Sequence, residues 1–228
     1  MQQIIAIGGG TSAPDLLLER YVLEQAGKPN PRICVILTAS GDANEYLDIF
    51  HSTFGSLPCE LTHLPLFSRT PIDLRDFIFT NDVIFVGGGN TKSLIAVWRD
   101  WGLNEILRDA WQQGIVLAGV SAGANCWFES CVTDSWEKEL RAIPCLGFLS
   151  GSFCPHYDGE ADRRPSYHHM VGEGQILPGL AADDGCAIHF TGTHIHSVVS
   201  SRAHASAYQL TRTGTGVSET PLPTKHLR

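Results

Sequence analysis

The chain has 228 residues, a formal net charge of −8 and 43% hydrophobic residues, which suits one domain of ordinary size with its own core. The acidic balance argues against a nucleic-acid partner, because binding a phosphate backbone needs a basic face. No run of eighteen apolar residues and no basic leader are present, so we expect no membrane partner and a cytoplasmic location.

Strands and helices alternate over the first 120 residues. Apolar runs predict buried strands at 2–8, 32–38, 59–65, 82–86 and 115–119. Helical spacing predicts helices at 14–26, with Pro14 in the first turn, at 43–54, and one or two within 91–113. This alternation is typical of a single α/β domain in which helices cover both faces of a mostly parallel, twisted sheet.

The pattern changes after residue 140, where short strands and loops dominate. The segments 184–191 and 194–201 resemble a hairpin with Gly192 and Thr193 at its turn. The segment 213–228 has little periodicity, so we divide the chain into a domain at 1–212 and a tail at 213–228 that wraps the surface or frays. The seven cysteines form no Cys-x-x-Cys pair, which favours reduced core thiols over disulfides or zinc.

The most informative motif is the G-x-S-x-G sequence at 119–123, which lies between a predicted strand and a helix beginning near Ala122. A serine at such a turn presents its hydroxyl at the end of the sheet. Ser121 is therefore a candidate nucleophile, and the amide of Ala122 would face a developing oxyanion. The alternative interpretation is a turn serine that only caps the helix.

Two further glycine turns end predicted strands. Since neighbouring parallel strands open into one crevice, the amides of Gly88 and Gly89 are candidates for the other half of an oxyanion hole, or the turn simply leads to Asn90 as a helix cap. The triplet at 8–10 follows the first strand as a dinucleotide fingerprint would. No acidic residue closes the second strand, so nucleotide binding is the less favoured alternative.

A nucleophilic serine needs a base, and His156 follows Pro155 and an apolar stretch after Ser121 in the chain. His194 and His196 could form a metal pair, but no third ligand has suitable spacing, so no metal is predicted. Spacing alone leaves the orienting carboxylate open. The candidates are Asp134, Asp158, Asp183 and Asp184.

Three motifs in register, VGGGNTKSL at 86–94, GVSAGAN at 119–125 and CPHYD at 154–158, resemble the peptidase E (aspartyl dipeptidase) and cyanophycinase family. The likeness covers most of the chain and is weaker before residue 30 and after residue 205. It implies a fold similar to class I glutamine amidotransferases, with serine replacing cysteine at the strand-to-helix turn. Amide transfer from glutamine is therefore not expected.

The resemblance also implies roles by position. It places the nucleophile on Ser121, the base on His156 and the oxyanion amides on Gly88 and Ala122. The peptidase E pattern implies Asp134 as the acid, which we favour slightly. The cyanophycinase pattern implies Asp184, where that branch has a glutamate.

For the substrate, the resemblance implies a short peptide with an acidic residue at the cleaved position, held by an arginine downstream of the histidine. Arg163 and Arg164 are the matching candidates. Gly89 and Asn90 lie close to the nucleophile in the predicted crevice and are also expected to contact the substrate.

We therefore expect a serine peptidase that uses an acyl-enzyme and needs no metal or organic cofactor. The alternatives are an ester or other acyl hydrolase on the same fold, and a binding protein without activity. The sequence does not determine the oligomeric state; dimers are common among relatives, which makes a homodimer an expectation from the resemblance alone.

Overall fold

The computed structural model describes residues 1–10, 15–136, 139–214 and 216–228. The strands are β1 (Gln3–Ile7), β2 (Arg32–Ile36), β3 (Glu60–His63), β4 (Val83–Val86), β5 (Val116–Val120), β6 (Phe128–Thr133), β7 (Arg141–Pro144), β8 (Leu149–Cys154), β9 (Gly179–Ala182), β10 (Cys186–Thr191), β11 (His194–Ser200), β12 (Ala207–Thr213), β13 (Gly216–Pro221) and β14 (Thr224–His226). The helices are α1 (Leu17–Glu24), α2 (Asn44–Phe54), α3 (Leu74–Phe79), α4 (Thr91–Asp100), α5 (Leu103–Gln112), α6 (Ala122–Asn125) and α7 (Arg163–Gly172).

The main sheet has the strand order β14-β11-β10-β1-β5-β4-β2-β3. Strands β1 to β5 are parallel to their neighbours within this group, which confirms the predicted α/β class. Successive residues of β1 point to opposite faces. Ile5 and Ile7 pack with α1 and α2, whereas Ile4 and Ala6 pack with α4 and α5. Helices therefore cover both faces, as the alternation predicts.

A second sheet has the order β13-β12-β9-β8-β6-β7, and it contains most of the short strands expected beyond residue 140. Phe128 of β6 stacks on Phe153 of β8 and meets Phe190 of β10 edge to face, with ring centroids 4.9 and 5.9 Å apart. One hydrophobic cluster thus contains side chains from both sheets. The two sheets share a core, in agreement with a single domain.

Several element boundaries differ from those predicted. The segment 91–113 forms two helices, since Gly102 adopts a left-handed φ of 66° between α4 and α5. Helix α3 was not predicted; the side chain of Asp73 caps it by accepting from the Asp76 amide at 2.9 Å. Pro14, expected in the first turn of the first helix, lies outside the described residues. The β10–β11 hairpin is confirmed.

After residue 213, where we expect a tail that wraps the surface or frays, the described residues form two regular strands. Strand β13 pairs antiparallel with β12, and β14 pairs parallel with β11, so this segment contributes an edge strand to each sheet. Both strands are largely exposed. In β13 the half-buried face consists of Val217 and Glu219, and a single apolar residue is too weak an alternation to predict a strand; backbone pairing at an edge does not depend on side-chain type. A lack of apolar periodicity therefore does not exclude edge strands in this segment.

Candidate active site

Ser121 lies between the end of β5 and the start of α6, with φ 56° and ψ −116°. Its amide donates to the Ile7 carbonyl of β1 at 3.1 Å. The flanking glycines are required by space: a Cβ at Gly119 would lie 2.2 Å from the Gly123 carbonyl oxygen, and a Cβ at Gly123 would lie 2.2 Å from that of Val86. The G-x-S-x-G sequence thus forms a tight strand-to-helix turn with the serine at its tip.

His156 follows β8 and reaches the serine from the second sheet. Its Nε2 lies 2.8 Å from Ser121 Oγ, although 35 residues separate them in the chain. The histidine also has a left-handed backbone, with φ 53°, and its amide donates to the Gly8 carbonyl at 3.1 Å. The predicted pair of serine and imidazole is therefore brought into hydrogen-bond distance.

Asp184 provides the carboxylate that contacts the imidazole, with Oδ1 2.7 Å from His156 Nδ1. The topology accounts for this contact. Strands β8 and β9 are parallel neighbours, with Cys154 paired to Ala181. The loops that carry His156 and Asp184 therefore leave the sheet side by side, each two residues beyond the end of its strand.

The other candidate carboxylates have different partners. The preference for Asp134 is not supported, because Asp134 follows β6 and lies 3.5 Å from Arg163 of α7. Asp158 accepts the Asp184 amide at 2.8 Å through Oδ1. Asp183 is buried and accepts the Ser206 amide at 2.9 Å; its burial raises the pKa of its carboxyl above the usual value.

Gly88 approaches the nucleophile closely, since a Cβ there would lie 3.3 Å from Ser121 Cβ and 3.8 Å from its Oγ. Within the described part of the chain, the Gly88 and Ala122 amides donate to no backbone carbonyl, whereas the Gly87 and Ser121 amides donate to Ile36 and Ile7. Two unengaged N–H groups beside a serine hydroxyl are suited to receive a developing oxyanion.

Gly89 and Asn90 are fixed by contacts with other segments of the same protein. Gly89 has φ 133°, and a Cβ there would lie 2.4 Å from the Ala39 carbonyl oxygen. The Asn90 side chain caps α4 by accepting from the Ser93 amide at 2.9 Å, and it donates to the Ser135 carbonyl at 2.5 Å. The expectation that Asn90 serves as a helix cap is confirmed, and its amide group is engaged inside the protein.

The two predicted substrate arginines are both paired with carboxylates of the chain. Arg163 is only 4% exposed and donates to Glu160 at 2.7 Å and to the Val132 carbonyl at 3.1 Å. Arg164 is half exposed and pairs with Glu219. Of the two, Arg164 alone therefore presents a guanidinium to solvent.

Glu219 of β13 lies at the centre of a cluster of ion pairs and hydrogen bonds that the sequence does not predict. Besides Arg164, it binds the Tyr157 hydroxyl at 2.5 Å and His168 Nε2 at 2.7 Å. Burial raises its pKa, but the hydrogen bonds from His168, Tyr157 and Arg164 outweigh that effect, so the pKa is lowered overall. Nothing in the local sequence distinguishes this glutamate from a solvated one.

The glycine triplet at 8–10, considered above as a nucleotide motif, packs against the candidate site instead. The successive carbonyls of Ile7, Gly8 and Gly9 accept from the amides of Ser121, His156 and Gly185, the last at 2.7 Å. A Cβ on Gly9 would lie 2.1 Å from Asp184 Oδ1 and 2.3 Å from His156 Nδ1. The end of β1 therefore positions all three candidate residues.

The described residues contain no group of three or more His, Cys, Asp or Glu side chains arranged to hold a metal ion. His196 lies against His189, with ring centroids 5.1 Å apart. Burial, the larger cause, and the charge of His196, the smaller cause, lower the pKa of His189 to about 4.

All seven cysteines are free. Burial raises the pKa of Cys34, Cys154 and Cys186 to about 12, so these thiols stay protonated.

No helix among the described residues combines the length and the apolar character that crossing a bilayer requires.

Comparison with known proteins identifies relatives over the whole chain. The family model for peptidase family S51 matches residues 4–198. The uncharacterized peptidase YgaJ of Bacillus subtilis (strain 168) is 50% identical over 230 residues, which cover 100% of both chains. Peptidase E of Haemophilus influenzae is 28% identical over 126 residues, covering 50% of this chain and 57% of that protein.

Among solved structures, the crystal structure of a peptidase from an acI-B1 Actinobacterium has a TM-score of 0.73 with this fold. The match covers 98% of this chain and 95% of that chain at 18% sequence identity. At this level of sequence identity, the comparison supports the assignment of the fold.

Proposed function

Because the chain belongs to peptidase family S51 and is therefore a serine-type peptidase, we propose that Ser121, His156 and Asp184 are the triad with which it hydrolyses short peptides. The observation that carries the proposal is one continuous line of contacts. Ser121 Oγ lies 2.8 Å from Nε2 of the imidazole, and Asp184 Oδ1 lies 2.7 Å from its Nδ1. Asp184 is the position that the cyanophycinase pattern implies.

Each residue has a defined role in this scheme. His156 Nε2 takes the proton of Ser121 Oγ as that oxygen attacks the carbonyl carbon of the peptide bond. The amides of Gly88 and Ala122 donate to the oxyanion that forms. His156 then passes the proton to the leaving amine, the C–N bond breaks, and an acyl-serine remains.

The second half of the reaction repeats these steps with water. His156 removes a proton from the water molecule, which attacks the acyl carbon, and the proton returns to Ser121 Oγ as the acid product leaves. Asp184 accepts a hydrogen bond from Nδ1 throughout, so it holds the tautomer whose Nε2 faces the serine. The carboxylate also stabilises the imidazolium in each transition state.

An acidic residue at the cleaved position is the substrate preference that we propose. Arg164 is the candidate that would bind its carboxylate, because half of the side chain is exposed while Arg163 is buried. A substrate carboxylate would have to compete with Glu219 for this guanidinium. The preference predicts that Asp-X dipeptides are cleaved faster than Asn-X dipeptides, and that Arg164→Ala reduces this difference.

We also propose a cytoplasmic location. The seven free cysteines support it, because thiols remain reduced in the cytosol and tend to pair in oxidising compartments.

The central experiment combines labelling and turnover. A fluorophosphonate probe should label wild-type protein at Ser121, which peptide mapping by mass spectrometry would identify. Ser121→Ala should lose labelling and at least about a thousandfold in turnover. Ser130→Ala, which changes a serine on β6, is the matched control and should keep both. Peptidase activity that survives in Ser121→Ala would reject the scheme, and turnover of p-nitrophenyl esters but of no Asp-X dipeptide would favour the ester hydrolase.

A further inference from the structure

We propose that Asp158 and Arg202 form a positioning pair that orients Asp184 toward His156; this inference rests on the triad proposed above. Asp158 Oδ1 accepts from the Asp184 amide at 2.8 Å, and Oδ2 accepts from Arg202 Nη2 at 2.9 Å. Arg202 Nη1 donates to the Asp184 carbonyl at 2.9 Å. One ion pair therefore binds both backbone polar groups of the candidate acid.

This arrangement restrains the backbone of Asp184 on both sides of its Cα. With the N–H and the C=O both anchored, rotation about φ and ψ is limited, so the direction of the Cα–Cβ bond is set. A carboxylate has few rotatable bonds beyond that point. Holding the backbone is thus an effective way to hold the oxygen that contacts His156 Nδ1.

The same pair connects the loop of the acid to the loop of the base. Asp158 is two residues after His156, and the intervening Tyr157 donates its amide to the Ala182 carbonyl at 3.2 Å. Without the Asp158 contact, the Tyr157–Ala182 main-chain bond and the His156–Asp184 hydrogen bond still join the two loops, but the separation of the loops is less restrained. The distance between imidazole and carboxylate depends directly on that separation.

Glycines on either side leave the carboxylate little freedom to compensate. A Cβ on Gly159 would lie 2.2 Å from Asp184 Oδ2, and a Cβ on Gly9 would lie 2.1 Å from Oδ1. The carboxylate therefore occupies a slot between two stretches of backbone. A small shift of the Asp184 backbone moves the carboxylate out of this slot rather than into another productive rotamer.

A role in global stability is the competing explanation, and the exposure of the pair argues against it. The side chains of Arg202 and Asp158 are 50% and 34% exposed, and ion pairs at such positions add little to folding stability. Asp158 also uses both oxygens on Asp184 and Arg202, so we assign it a positioning role and no contact with the reacting atoms.

The test is steady-state kinetics on the dipeptide that wild-type protein cleaves best. We expect Asp158→Ala and Arg202→Ala each to lower kcat about 10- to 100-fold, as displacements of about 1 Å do, with KM changed less than about twofold. The double variant should lose about as much as either single variant, because the two side chains act as one unit. Asp158→Asn keeps an acceptor for the Asp184 amide and should recover part of kcat.

The matched controls are Arg75→Ala and Asp109→Ala, which remove an ion pair of 2.7 Å with exposures of 51% and 43%. Both should keep wild-type kcat. If Asp158→Ala unfolds below the assay temperature, Asp158→Asn and Arg202→Lys decide the matter, since both preserve side-chain volume. Arg202→Lys removes the planar fork and should lower kcat without changing the melting temperature.

Failure of this inference is distinguishable from failure of the triad. If fluorophosphonate does not label wild-type protein and Asp184→Asn cleaves normally, the proposed function is wrong. If wild-type protein is labelled and Asp184→Asn is impaired, but Asp158→Ala and Arg202→Ala retain kcat within about twofold of wild type, the positioning pair is refuted. Additive losses in the double variant would refute it as well.

Discussion

Ser121 and His156 donate their amides to consecutive carbonyls at the end of β1, those of Ile7 and Gly8. Both residues have a left-handed φ, 56° and 53°, although neither is glycine. Such conformations cost on the order of 1–3 kcal/mol each and persist only where the surroundings impose them. The two hydrogen bonds to β1 provide such a constraint, and they place the hydroxyl and the imidazole on the same side of the strand end.

The two acids implied by the family resemblance differ in their contacts, and substitution separates them. Asp184→Asn should lower kcat by roughly 10³–10⁴, because an amide in place of the carboxylate favours the wrong tautomer of the histidine. Asp134→Asn should stay within about fivefold of wild type, since Asp134 contacts Arg163 at 3.5 Å. Steady-state kinetics on one dipeptide measure both. A larger loss in Asp134→Asn than in Asp184→Asn would restore the peptidase E assignment.

Gly9→Ala should strongly reduce turnover while the protein still folds. The added methyl group would overlap His156 Nδ1 and Asp184 Oδ1, at 2.3 and 2.1 Å, so those two side chains must separate. We expect a loss of at least about a hundredfold in kcat/KM. Gly214→Ala is the control, because a Cβ there meets nothing within 4 Å. Circular dichroism and kinetics together check the result, and an active Gly9→Ala variant would contradict the described geometry.

Glu219→Ala should destabilise the fold by about 1–3 kcal/mol. The substitution leaves the buried Tyr157 hydroxyl without its acceptor, and an unsatisfied buried donor costs about that much. Glu139→Ala removes an ion pair of 3.5 Å to Arg141 at a glutamate that is 82% exposed, and it should change stability by less than about 0.5 kcal/mol. Urea unfolding of both variants checks this. Equal stabilities would show that the contacts of Glu219 add nothing measurable to the stability of the fold.

Glu19 predicts a pH dependence of stability. Burial, reinforced by the charge of Asp15 and opposed by a backbone hydrogen bond, raises the pKa of Glu19 to about 7 from 4.5. Between these two values the folded chain holds a proton that the unfolded chain has released, so stability falls as the pH rises through that window. The loss amounts to roughly 3 kcal/mol and is complete above about pH 7.

The measurement is urea unfolding at pH 5 and at pH 7.5. Glu19→Gln does not titrate, so its unfolding free energy should lack the decrease that wild-type protein shows between the two pH values. Glu24→Gln, on the exposed side of the same helix, removes the same charge and should keep the decrease. If Glu19→Gln and wild type have the same dependence, Glu19 is ionised in the folded protein.

Prediction from the sequence succeeds for the parts of the fold that have a strong local pattern of residues. Parallel central strands are buried on both faces and therefore appear as continuous apolar runs, which is why β1, β2, β4 and β5 were found. The strand-to-helix turn at 119–123 is recognisable from the sequence because steric constraints require glycine at positions 119 and 123. Edge strands such as β13 carry neither signal.

The candidate acid shows a limit of prediction from local sequence. Spacing in the sequence does not distinguish Asp134, Asp158 and Asp184 as partners of the histidine. Their contacts differ because β8 and β9 are parallel neighbours in the second sheet, a pairing between segments about thirty residues apart. The role of Gly9 depended on the same pairing, since its neighbours at the site come from distant loops.

The last two edge strands have a consequence for how the chain is made. Segments 216–221 and 224–226 cover the free edges of β12 and β11, and the first of them brings Glu219 to α7. Until this part of the chain has left the ribosome, β12 and β11 are themselves terminal strands of the two sheets, and such unpaired edges can pair with other chains. A nascent chain that stalls before residue 216 would therefore be prone to aggregate, even though every residue of the proposed triad had already been translated.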